Sequence, residues 1–336
     1  MAEPVSRALS DYCQGFARAA EPWPGLPLPN DTSLNWWDQL ITDTDQGVPL
    51  QEALVAALPQ LQLPQVSGIS TSDVYKTMVL RGQVINEATL ATAGQPPQWE
   101  CAEALRLWIA PHPCGAMPVL QTPSWHDFEL LVRALAHRAE PVVLPDGVHA
   151  QAVSGLIHWG LIERFGRDSR AKLILLHQAP YGSVAAEHVP GRLSAEDWLA
   201  ASTTLRLEHE LTHLATKRLL GEMRLNLLDE LVADCMGMVA ALGHFDADLF
   251  GRCLGINTDN ANQPIANGRW LSYTRELSDD DAKTAVALTL TRSRELDARL
   301  NQQSELLKPE HAMARLQWLC QQRLDQQLTA PAATQP

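Results

Sequence analysis

The stretch from Ser194 to Gly243 constrains this chain more than any other. Ser194 followed by Asp197 makes an N-cap arrangement, and no Pro or Gly interrupts the residues after it until Gly221. Asn226 can cap a second helical run, and Gly243 can stop it. The short turn from Gly221 to Asn226 must reverse the chain sharply. Two long helices are therefore expected, with side chains of the second pointing back at the first.

The first helix carries His209-Glu210-Leu211-Thr212-His213, an HExxH pattern. Residues four apart share a helix face, so both imidazoles can reach one metal ion. Glu210 projects about 100° round from His209, at 3.6 residues per turn. That lets it address a water near the metal without being a ligand. A stripe of Leu207, Leu211 and Leu214 is expected to bury the helix. The second helix places Glu230 and Asp234 one turn apart among Leu228, Leu231, Cys235, Met238 and Leu242. Acids on a largely apolar helix are costly unless they meet cations or a metal. Catalytic zinc takes three protein ligands and keeps a position open, so the two histidines need a third partner.

An HExxH helix followed by a helix bearing Glu-x-x-Ala-Asp resembles the gluzincin branch of zinc metallopeptidases. The likeness covers about residues 205–238. It implies Zn2+ held by His209, His213 and Glu230, with Glu210 as general base. Asp234 would then accept a hydrogen bond from a ligand histidine. Sixteen residues separate His213 from Glu230, a tighter spacing than usual in that branch. This leaves the reverse assignment open, with Asp234 on the metal and Glu230 or Asp229 alongside. The metzincin extension is absent, since Leu219 stands where its third histidine would be.

Such a site implies peptide or protein substrates, cleaved by a zinc-activated water. The tetrahedral oxyanion needs one donor besides the metal. His244, Arg269 and Tyr273 are the candidates, the last two in a loop that begins at Asn267. By analogy, residues 173–177, or 178–186 just after them, would form a substrate-aligning edge, with Tyr181 and Gly182 at the cleft. Two other readings stand beside the peptidase. One is a zinc-binding module with structural metal or lost activity, and the other is a hydrolase of a non-peptide amide.

The remaining sequence predicts an α+β protein, mostly helical, with a small sheet before the zincin-like helices. Helices are expected within residues 1–20 and over Leu50–Leu58, Ser72–Leu80, Trp99–Ile109, Ser124–Arg138 and Val148–Phe165. Later ones are expected over residues 278–303 and from Pro309 to about Leu328. Short strands are expected at Met117–Gln121, Pro141–Leu144 and Lys172–His177. A helical region over residues 1–116 and a catalytic region over 117–330 are expected, or one continuous domain. Trp36-Trp37 reads as packing between helices.

Lys and Arg number 26 against 39 Asp and Glu, a net charge of −13 over 336 residues. That balance argues against non-specific nucleic-acid binding, which needs surplus cations. No run is long and apolar enough for a membrane span. Six scattered cysteines without a CxxC pair read as reduced thiols, and the start lacks a secretory signal, so a cytoplasmic location is expected. The sequence does not indicate an oligomeric state.

Overall fold

The computed structural model describes residues 6–145, 147–156, 158–165, 171–257, 263–264 and 268–331. The fold is α+β, with many helices and one four-stranded sheet. The chain divides into two compact units. One takes the residues up to Pro24 together with those from Pro180 onward, and the other takes Gly25–Ala179. The boundary expected at 116/117 instead falls inside the second unit, between two strands that pair with each other.

Helix α1 (Arg7–Tyr12), capped by Ser6, belongs to the first unit. Residues 1–5 of the helix expected there lie outside the described residues. The second unit opens with α2 (Leu34–Asp45), α3 (Leu50–Ala57), α4 (Asp73–Tyr75) and α5 (Glu87–Ala91). Trp37 is fully buried in its core and stacks edge-on with Trp36, so this pair is packing. Strands β1 (Arg106–Ala110) and β2 (Met117–Thr122) follow, then α6 (Trp125–Ala136), β3 (Ala150–Val153), α7 (Trp159–Phe165) and β4 (Leu173–His177).

The sheet order is β1-β2-β4-β3, with β2 and β4 parallel and both outer pairs antiparallel. The inner strands bury nearly every residue, as strands covered on both faces must. Phe128 and Leu131 of α6 pack with Leu120, Leu173 and Leu175 in the core of this unit. Ser124 caps α6 by accepting the Asp127 N–H.

Three expectations are corrected here. Trp99–Ile109 is not a helix: a short turn at Ala102–Ala104 leads into β1, whose pairing with β2 overrides the local helical pattern. Val148–Phe165 is not one helix either, since β3 comes first and α7 follows Gly155. Pro141–Leu144 is irregular.

The first unit resumes with α8 (Ala195–Leu220), α9 (Leu227–Leu242), α10 (Ala247–Cys253) and the small pair β5 (Ile256–Asn257) and β6 (Gln263–Pro264). Then come α11 (Trp270–Tyr273), α12 (Asp279–Gln302) and α13 (Ala312–Cys320). The expected caps hold. Ser194 accepts the Asp197 N–H, Asn226 the Asp229 N–H and Ser278 the Asp281 N–H. Gly221 and Gly243 end α8 and α9 in left-handed conformation. The last helix stops at Cys320 and does not reach Leu328. No helix among the described residues is long and apolar enough to cross a membrane.

Candidate metal centre

Helices α8 and α9 pack as an antiparallel pair. Gly237 permits the close approach: a Cβ there would lie 2.6 Å from the carbonyl oxygen of Leu205. From that crossing toward the turn, His209 comes opposite Asp234 and His213 opposite Glu230 and Asp229. The buried face of α8 is not the expected leucine stripe. Of the three leucines only Leu211 is buried, with Leu207 and Leu214 half-buried, while Leu205, His209, Thr212, His213 and Thr216 share the buried face. The threonines on that face satisfy themselves locally, Thr212 on the Glu208 carbonyl and Thr216 on the His213 carbonyl. The helix can therefore turn a polar face inward.

The two Nε2 atoms of His209 and His213 meet at 3.0 Å. The Glu230 carboxylate faces both, with Oε2 3.6 Å from His209 and Oε1 3.4 Å from His213. These three residues form a buried group whose donor atoms all lie within 4.8 Å of one another. Each histidine has its own aspartate behind it. Nδ1 of His209 lies 2.7 Å from Asp234, and Nδ1 of His213 lies 3.3 Å from Asp229.

That pattern tests the fit of a cation. An imidazole hydrogen-bonded to a carboxylate through Nδ1, as His209 is to Asp234, carries its proton there. The two Nε2 atoms stand at 3.0 Å, a separation that needs either a proton on one ring or a cation between them. Burial alone would lower His213, but Asp229 and Glu230 outweigh it and hold it well above the ordinary histidine value. Burial would likewise raise Asp229, Glu230 and Asp234. The histidines hold all three below their ordinary values, with Arg269 aiding Glu230 and Asp234. Two imidazoles and a carboxylate, all buried and converging, are a donor set that could hold a metal ion.

Other side chains complete the surroundings. Tyr181 donates its phenol hydrogen to Asp234, and its oxygen lies 3.0 Å from Nδ1 of His209. Its own N–H is held by Ser202 at 2.9 Å. Gly182 next to it takes φ +58° against Cys253, where a Cβ would come within 2.6 Å of the Cys253 Cα. Arg269 reaches Glu230 Oε2 at 3.2 Å, the Tyr273 hydroxyl at 3.1 Å and the Cys253 carbonyl at 3.3 Å. Tyr12 of α1 accepts the Leu227 N–H at 2.9 Å and donates to the Tyr273 carbonyl at 3.1 Å.

The structure therefore brings together His209, His213, Glu230, Asp234, Arg269 and Tyr273. Glu210 is half-buried, adjacent in sequence to His209 and outside the ligand trio. His244 is not part of the site. It follows the far end of α9, its Nδ1 is 3.1 Å from the Leu242 carbonyl, and the twelve residues from Glu230 to Leu242 span about 18 Å of helix. Arg269 and Tyr273 turn out to be partners of Glu230 and not free donors. Asn267, at the start of their loop, lies outside the described residues.

The expected edge at residues 173–177 is overturned, because β4 is an inner strand paired on both sides. Tyr181 acts through its hydroxyl on Asp234 and His209. The roles of Tyr181 and Tyr12 have no signal in local sequence. Asp229 did have one, being a third acid at the N-terminus of α9.

Two antiparallel helices presenting two imidazoles and a carboxylate, with an aspartate behind each ring, define an α+β protein with a buried candidate metal centre. The chain belongs to a family of unknown function, DUF7005, matched over residues 8–172 and 167–331. No curated protein and no solved structure matches it.

Proposed function

We propose that this chain is a zinc-dependent hydrolase, a soluble cytoplasmic metallopeptidase of gluzincin type acting on peptides or proteins. The observation that carries the reading is the convergence of the His209 and His213 Nε2 atoms opposite Glu230, with both Nδ1 atoms backed by aspartates. Zinc bonds nitrogen and carboxylate oxygen at about 2.0–2.2 Å, so donors at the corners of a tetrahedron stand about 3.3–3.5 Å apart. The donor separations of 3.0, 3.4 and 3.6 Å are close to that. Three ligands rather than four, among the described residues, favour a catalytic over a closed structural site.

A bound zinc ion supplies a Lewis acid, which brings the pKa of water to about 7 and polarises a carbonyl. The chain's residues do the rest. Asp234 and Asp229 keep the ring protons on Nδ1 and leave both Nε2 atoms as donors. Glu210 takes the proton of the attacking water on its carboxylate and returns it to the leaving amine.

Metal analysis of the purified, zinc-reconstituted chain is expected to find about one zinc per chain. The double variant His209→Ala, His213→Ala should hold none, and Glu210→Gln should hold zinc yet hydrolyse nothing. Absence of zinc in the wild type sinks the reading. If peptide libraries are untouched while other amides are cleaved in a Glu210-dependent way, the substrate is a non-peptide amide.

A further inference from the structure

The following rests on the metal-site reading above and concerns how Glu230 meets the ion. A carboxylate can bind through one oxygen or through both, and the second oxygen would take up a coordination position. We propose that Arg269 is a positioning residue that reserves Oε2 of Glu230, so that the ligand binds through Oε1 alone and a position for substrate stays open.

The guanidinium is fixed independently of the carboxylate it touches. Nη1 donates to the Cys253 carbonyl at 3.3 Å, and Nη2 donates to the Tyr273 hydroxyl at 3.1 Å. Its central carbon sits 5.3 Å from the centre of the Tyr181 ring and 5.9 Å from that of Tyr273, a cation held by two aromatic rings. From this anchored position Nη2 donates to Oε2 at 3.2 Å. Glu230 is 2 % exposed, so little water can compete for that oxygen. Oε1 is left facing Nε2 of His213 at 3.4 Å. A charge-assisted bond to a buried oxygen is about twice as strong as a neutral one, which biases the carboxylate toward one-oxygen ligation.

The full chain is loaded with cobalt(II) or zinc, and bound metal is counted first. If the wild type binds neither ion, the metal site itself is wrong and this inference goes with it. With metal bound, wild type should show the intense visible bands of four-coordinate cobalt. Arg269→Met should lose intensity toward the weaker bands of a five-coordinate ion, and Arg269→Lys, which keeps a cationic donor, should stay nearer the wild type. Equal intensities in the wild type and Arg269→Met overturn the proposal while leaving the metal site intact. X-ray absorption on the zinc-loaded wild type depends on no variant. It should find four light donors at about 2.0–2.1 Å, and five or more overturn the proposal.

Discussion

Gly237 of α9 faces the backbone carbonyl of Leu205 in α8 so closely that a Cβ would stand 2.6 Å from its oxygen. The contact is helix backbone on both sides, so no flexible side chain can yield. Gly237→Ala should push the helices apart and cost about 1–3 kcal/mol, the range for overpacking a tight contact. His209 and Asp234 lie about one turn away, so the same variant should also weaken metal binding. Urea unfolding and a chelator competition measure the two effects, and a variant with wild-type values in both would show that the crossing is looser than the structure has it.

The aspartates behind the histidines should be separable from the ligand. Glu230→Ala should weaken metal more than either Asp234→Ala or Asp229→Ala, each of which should cost about 10–100-fold in affinity. Titration against a metal-buffering chelator gives the ranking. If Asp234→Ala strips the metal while Glu230→Ala spares it, the ligand is Asp234 and the gluzincin reading falls.

Tyr181 touches Asp234 and His209 through one hydroxyl. Tyr181→Phe keeps the ring between Arg206 and Arg269 and removes only that oxygen. A hydrogen bond to a charged group is worth about 1.5–3 kcal/mol, so a loss in that range is expected on unfolding. The metal should remain bound at reduced affinity. An unchanged midpoint and affinity would leave the phenol without a role at Asp234.

In the other unit, burial pushes His112 down to about 4. Its Nδ1 accepts the Cys114 N–H at 3.0 Å, which a protonated nitrogen could not do. An unfolded histidine titrates near 6.5, so between about 6.5 and 4 the unfolded chain binds a proton that the native chain refuses. The stability tied to this ring is therefore complete above pH 6.5 and is lost as pH falls toward 4. His112→Gln keeps an acceptor and cannot titrate, so its urea midpoint should fall less steeply across that window. Parallel slopes for the two proteins would assign the acid sensitivity to other groups.

Features that depend on spacing within a few residues were legible in the chain alone. The caps at Ser194, Asn226 and Ser278, the glycine stops at 221 and 243, and the shared face of His209 and His213 follow from helix geometry alone. Glu230 stood out because an acid one turn before another on an apolar helix calls for a partner. Tertiary structure decided the rest, because it turns on contacts between residues far apart in the chain. Asp229 reaches His213 only because Gly237 lets two helices close at one register. Arg269 and Tyr181 reach the site from 39 and 28 residues away from Glu230 and His209. Likewise β1 and β3 became strands because β2 and β4 offered them hydrogen bonds that local propensity could not foretell. The division of the chain at Pro24 and Pro180 is also non-local, since the N-terminal segment joins helices that begin more than 170 residues later.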